Sequence, residues 1–159
     1  MIRPAVGADI DEILDIVVSA GMFTRDEVEV VDELLRAHLA ATDHEDHCCV
    51  VSEQDGTLTG VAFAEVRPAA DRVWDLTMLG VRPKTQNLGE GTALITAVEQ
   101  QLITAGARLL VVETSATQQY EGARAFYTAR GFDEEARIRD YWTDGDDLVL
   151  FRKRLTPST

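Results

Sequence analysis

The chain is short of lysine, cysteine and proline, and each shortage removes a class of protein. Only Lys84 and Lys153 are lysines among 15 basic residues, which face 28 acidic ones for a net charge of −13. Sequence-independent binding to nucleic acid or to an anionic membrane needs a basic surface, so neither is an expected partner. No apolar run approaches the ~18 residues of a membrane-spanning helix. The start, 1-MIRPAVGADID-11, has no basic segment followed by an apolar one, and a cytoplasmic location is the expectation. Cys48 and Cys49 are adjacent and cannot staple distant segments, so they read as reduced, structural thiols. Internal repeats, low-complexity tracts and Pro/Gly/Ser-rich linkers are absent, which leaves one domain over residues 1–159. What is present fits that: 45% apolar and 27% charged residues, at a length that buries roughly 70% of the unfolded surface without help from a metal.

Periodicity supplies the elements. A short strand near Ile2 precedes Ile10, Ile13, Leu14, Val17 and Val18 at helical spacing, with Asp9 and Glu12 in a capping-box arrangement and Gly21 at the end. Thr24 and Glu27 repeat the box ahead of the stripe Val31, Leu34, Leu35, His38 and Leu39. Three strands follow, 47-HCCVVSE-53, 58-LTGVAFAEV-66 and 73-VWDLTMLGV-81, the first two joined by the hairpin signal Asp55-Gly56. They predict an antiparallel meander. Leu94, Ile95, Val98, Leu102 and Ile103 mark a helix closed by Gly106, and 108-RLLVVET-114 reads as a buried strand. Residues 120–130 are helical in pattern, with Ala123, Phe126 and Tyr127 on one side. Strands over 132-FDEEARIRDYW-142 and 147-DLVLFRKRL-155 finish the chain, joined at Asp144-Gly145. The order β-α-α-β-β-β-α-β-α-β-β predicts an α/β fold with a central mixed, mostly antiparallel sheet and helices on both faces.

Chemistry concentrates in 81-VRPKTQNLGEGTALI-95, where a strand runs through Pro83 and two glycines straight into a helix. It lacks the Gly-Lys-Ser/Thr of a P-loop and the GxGxxG of a dinucleotide fingerprint. Two glycines at a helix mouth let a phosphate approach the backbone, and the free N–H groups of the first turn favour a diphosphate. A bare strand-to-helix turn would use the same glycines. Arg82 and Lys84 against Glu90 give the loop a local charge of +1, and charges elsewhere are screened beyond about 8 Å at physiological salt.

Gln86-x-x-Gly89-x-Gly91, preceded by 79-LGVRP-83, resembles the acyl-CoA-binding motif of the GNAT N-acetyltransferases. The segment 120-YEGARAFYTARGF-132 resembles the superfamily's second signature, and the element order is also the same, so the resemblance covers nearly the whole chain. It implies transfer of acetyl from acetyl-CoA, as co-substrate and without a metal, to the amine of a small molecule or peptide, in a monomer or homodimer. The diphosphate would rest on the backbone N–H groups of Leu88, Gly89, Glu90, Gly91 and Thr92, with Gln86 and Asn87 also among the cofactor-binding residues, and the pantetheine arm between the strand of Leu79, Gly80 and Val81 and the strand 108–114. Tyr120 stands where many relatives have an Asn on that arm, and Arg124 belongs to the same signature. A non-catalytic acyl-CoA-binding or regulatory module is the competing reading.

Acetyl transfer to an amine needs a neutral nucleophile, a stabilised oxyanion and a proton for the leaving thiolate. Tyr127 aligns with the family's proton donor, a phenol near 10 facing a thiol near 8.5; an aromatic in a helix stripe is otherwise core. Asp75 lies where relatives carry a Glu base, and strict alternation puts it on one face with Thr77, Leu79 and Val81. Proton transfer from an alkylammonium near 10.4 to an ordinary carboxylate near 3.9 is uphill by about 9 kcal/mol, so Asp75 acts through water or by attracting the ammonium. Glu113 is the alternative base, and the N–H of Leu79 or a neighbour the oxyanion donor. Trp74, Tyr141 and Trp142 are candidates for an amine pocket or for the core. Asp26, Glu27 and Glu29 are candidates for attracting a cation or plain surface. His44, His47, Cys48 and Cys49 do not match a zinc ligand spacing, and no metal is expected.

Overall fold

The computed structural model describes residues 1–40 and 45–156. Its elements are β1 (Ile2–Pro4), α1 (Ile10–Ser19), α2 (Val28–Ala40), β2 (His47–Gln54), β3 (Thr57–Val66), β4 (Val73–Val81), α3 (Glu90–Thr104), β5 (Leu109–Ser115), α4 (Glu121–Ala129), β6 (Asp133–Thr143) and β7 (Asp146–Arg154). Seven strands form one sheet in the order β1-β2-β3-β4-β5-β7-β6. All neighbours are antiparallel except β4 and β5. The meander of β2, β3 and β4 turns at Asp55 and Gly56, whose φ values of 51° and 78° are those of the tight hairpin turn that Asp-Gly favours.

Each face of the sheet buries its own core. On one, Leu94, Ile95, Val98 and Leu102 of α3 meet Val50, Ala62, Leu76, Leu110 and Phe151 of the strands. On the other, Ile13, Ile16 and Val17 of α1 and Leu35 of α2 meet Val51, Val61, Phe63 and Met78. Fully burying each such side chain contributes about 1.5–3 kcal/mol. At Gly60 there is no room for a side chain: a Cβ there would lie 2.8 Å from both Leu94 Cδ1 and Ser52 Oγ and 3.1 Å from the Gly80 carbonyl oxygen.

The first helix starts differently from its sequence pattern. The expected Asp9–Glu12 box does not form, because both carboxylates have better partners elsewhere. Asp9 is buried, accepts the Val6 N–H at 2.8 Å and takes the Arg3 guanidinium on both oxygens at 2.8 and 2.9 Å. Arg3 first, and the Val6 N–H with it, hold the Asp9 carboxyl below its usual range. Glu12 reaches across to accept the Leu58 N–H at 3.0 Å, tying α1 to β3. The second box forms in part, with the Thr24 N–H donated to Glu27 at 3.2 Å.

Candidate active site

β4 and β5 pair over only three positions, Val73 with Leu109, Trp74 with Leu110 and Asp75 with Val111. Both strands continue beyond that, to Val81 and Ser115, without pairing each other. A parallel ladder that ends early leaves backbone N–H and C=O groups on both strands free for another partner. The unpaired end of β4 borders a cleft of about 650 Å³ running past the N-terminus of α3 to α4. Leu79, Gly80, Val81, Gln86, Asn87, Gly89, Gly91, Thr92, Tyr120 and Tyr127 all line it. Residues distant in sequence are thereby brought to one surface.

The mouth of α3 presents backbone donors to the cleft. Gly89, at φ 84°, occupies the N-cap in a left-handed conformation that a side chain would strain, and a Cβ on it would meet nothing within 4 Å. The first helical bond runs from the Ala93 N–H to the Gly89 carbonyl, so among the described residues the N–H groups of Gly91 and Thr92 have no backbone acceptor. Gly91 faces α4, where a Cβ would touch the Phe126 ring at 3.5 Å. Unmet donors at a helix N-terminus fit a phosphorylated ligand.

Several motif residues do something else. Leu88 is exposed and does not line the cleft. Glu90 turns back to accept from Ser52 at 3.4 Å and Thr85 at 3.3 Å. Arg82 is paired with Asp15 at 2.6 Å, which cancels the local charge of +1 expected for the loop. Arg124 donates to the carbonyls of Ser115 and Thr117, both at 2.7 Å, and so fixes the turn between β5 and α4.

Tyr127 sits at the inner end of the cleft with its ring against Phe126, Phe132 and Phe151. Burial pushes its phenol up to about 12, because the anion would lose its water. It therefore stays protonated at any ordinary pH.

Asp75 is not on the face expected for it. Phe63 pairs with Met78 and Ala64 with Leu76, so Thr77 is an extra residue, a β-bulge that shifts the alternation by one. Trp74, Leu76, Leu79 and Val81 consequently join the α3 core while Met78 joins the α1/α2 core, and Asp75 points to the face opposite Leu79. There Arg67 holds it bidentately, both bonds at 2.9 Å, and also donates to Glu113 at 3.2 Å. The two candidate bases are thus joined through one guanidinium, which the sequence pattern gave no sign of. That guanidinium is itself held above its usual range, chiefly by Asp75.

Of the aromatic candidates, Trp74 is core, whereas Tyr141 and Trp142 on edge strand β6 are about half exposed. The Trp142 indole N–H donates to the Thr114 carbonyl at 3.3 Å, beyond the last β4–β5 pair. His47, Cys48 and Cys49 are buried, and burial raises the two thiols to about 11 and 12. Among the described residues no group of three or more His, Cys, Asp or Glu is arranged to hold a metal, and His44 lies outside them.

A sheet splayed next to a glycine-lined helix mouth leaves an extended cleft beside β4 and α3. Comparison with known proteins gives the family. The family model described as the acetyltransferase (GNAT) family matches residues 11–132. An uncharacterized N-acetyltransferase of Methanocaldococcus jannaschii is 27% identical over 109 residues, 68% of this chain and 67% of that protein. The crystal structure of a GNAT-family protein from Desulfovibrio desulfuricans superposes with a TM-score of 0.92 at 31% identity, over 98% of this chain and 99% of that one. A Salmonella typhimurium protein solved with its cofactor acetyl-CoA shares the fold, with a TM-score of 0.80 at 20% identity, over 100% and 95% of the chains. The chain belongs to the GNAT family, and it is an acetyl-CoA-dependent N-acetyltransferase.

Proposed function

We propose that the protein passes acetyl directly from acetyl-CoA to a primary amine while both are bound, with no acetyl-enzyme between. The observation that carries this reading is the cleft lining, which among the described residues contains no cysteine, serine, histidine or lysine. Its two threonine hydroxyls are engaged, Thr85 with Arg82 and Glu90, Thr92 with Arg130. The only thiols are buried in the two cores and held neutral. Of the cleft's two phenols, Tyr127 is held protonated and Tyr120 has no basic side chain among the described lining residues to activate it, so a covalent relay lacks an activated nucleophile.

When bound, acetyl-CoA supplies a thioester carbonyl open to attack and a sulfur that leaves as thiolate. The N–H groups of residues 88–92 receive the diphosphate, and Gln86 and Asn87 border it. The free edges of β4 and β5 hold the arm, and the N–H of Leu79 or a neighbour meets the developing oxyanion. Tyr127 gives its phenolic proton to the leaving sulfur and regains one from water.

Asp75 and Glu113 act on the acceptor side by charge. With Arg67 between them they carry a residual −1, which favours a cationic amine over an acidic one. Their ion pair with Arg67 leaves deprotonation of the ammonium to water at their edge. Tyr141 and Trp142 flank that opening and suit the apolar part of an amine. The test is release of CoA thiol from acetyl-CoA across pools of amino acids, polyamines, aminoglycosides and short peptides, against a control without amine. Release that depends on a cationic pool supports the reading; release confined to acidic amines overturns the acceptor assignment.

A further inference from the structure

Arg130 closes α4; of the nearby arginines, Arg124 has no carboxylate partner either, but its Nη1 is spent on two backbone carbonyls. Arg82 and Arg67 each have a carboxylate partner. Arg130 has none among the described residues, although the chain carries 28 acidic side chains. Its Nη1 donates to the Thr92 hydroxyl at 3.1 Å, and its guanidinium carbon lies 6.0 Å from the centre of the Phe126 ring. Nε is buried and has no hydrogen-bond partner. Glu99, two turns along α3 from Thr92, is taken by Lys153 at 2.8 Å, and that ammonium also donates to the Arg130 carbonyl at 2.8 Å. Thr92 and Phe126 both line the cleft, so an uncompensated cation lies against the same first helical turn whose N–H groups are unmet. A buried guanidinium N–H without an acceptor is costly to maintain, and a planar fork without a carboxylate matches a phosphate.

We propose that Arg130 is a phosphate-binding residue of the acetyl-CoA site, its guanidinium taking a phosphate of the cofactor at the rim between α3 and α4. Its contact with Thr92 holds the side chain at that rim before the ligand arrives. The family's acyl-CoA motif does not include this position, and the inference rests on the reading that residues 88–92 receive the diphosphate.

Dissociation constants of CoA and of dephospho-CoA, measured by calorimetry for the wild type, Arg130→Gln, Arg130→Lys and Gly91→Val, test it. Arg130→Gln weakens CoA by roughly 10- to 100-fold, the scale of a charge-assisted hydrogen bond, and Arg130→Lys by less. A loss for CoA alone assigns the 3′-phosphate, a parallel loss for dephospho-CoA assigns the diphosphate, and either supports the proposal. CoA affinity within twofold of wild type in Arg130→Gln, while Gly91→Val weakens it, overturns the role of Arg130 alone. Indifference of Gly91→Val overturns the diphosphate reading itself. Should Arg130→Gln fold poorly, CoA affinity in folded Arg130→Lys identical to wild type overturns the proposal as well.

Discussion

Replacing Tyr127 with Phe removes one hydroxyl and leaves the ring among Phe126, Phe132 and Phe151, at centroid separations of 5.5, 5.6 and 5.7 Å. Packing is kept, so stability changes by less than about 1 kcal/mol. The chemistry is another matter. With the phenol pushed up to about 12, complete transfer of its proton to a free thiolate near 8.5 is uphill by about 5 kcal/mol at 1.36 per unit. Transfer therefore accompanies cleavage of the carbon–sulfur bond, when the sulfur has lost its water and is a stronger base than in solution. Losing the donor lowers kcat by roughly 10²-fold or more and leaves CoA affinity unchanged. Free-thiol release at saturating acetyl-CoA and amine, with calorimetric CoA binding and an unfolding curve on the same sample, measures all three. The wild-type pH profile carries a further mark, since Tyr127 keeps its proton and produces no falling limb below about pH 11. Turnover within threefold of wild type, at unchanged unfolding temperature, would refute the acid assignment.

Asp75→Asn leaves Arg67 with Glu113 alone and removes one negative charge from the acceptor side; KM for a cationic amine rises several-fold while CoA binding stays as it was, as initial rates in each substrate will check. Alkali destabilises the fold in a defined window. The Cys48 and Cys49 thiols are raised from 9.0 to about 11 and 12, so the stability their neutral forms contribute is complete below pH 9 and is lost as pH rises towards those values. The loss is about 1 kcal/mol per thiol by pH 10, visible in urea unfolding curves at pH 8 and 10. Gly60→Ala forces a Cβ to within 2.8 Å of Leu94 Cδ1 beside the cleft strand, costs about 1–3 kcal/mol and lowers the unfolding temperature; an unchanged temperature would show that α3 can shift there.

Local signals were legible in the sequence wherever one segment decides its own structure. The Asp55-Gly56 hairpin, the glycine mouth at residues 89–91, the meander and the helix over residues 94–103 rest on turn chemistry and periodicity alone. What escaped was set by partners far along the chain. Asp9 reads as a helix cap until Arg3 is beside it, and Glu12 until Leu58 is. Alternation places Asp75 with Leu79 only if β4 is regular, and the bulge at Thr77 depends on how β3 pairs with it. Arg67 carries no motif, yet it joins both candidate bases. Arg82 and Lys84 look like a basic loop in one dimension, but Asp15 of α1 takes Arg82. Tyr141 and Trp142 have the composition of core residues, and only their place on an edge strand leaves them exposed.

Acetyl passes from thioester to amine within one ternary complex, with no acetyl-enzyme between, in the mechanism proposed here. Initial rates over a matrix of acetyl-CoA and acceptor concentrations test it most directly, since direct transfer requires both to be bound before chemistry. Direct transfer gives double-reciprocal lines that intersect and, by intact-mass spectrometry, no acetylated protein after incubation with acetyl-CoA alone. Parallel lines together with a stoichiometric acetyl adduct on the chain would contradict it.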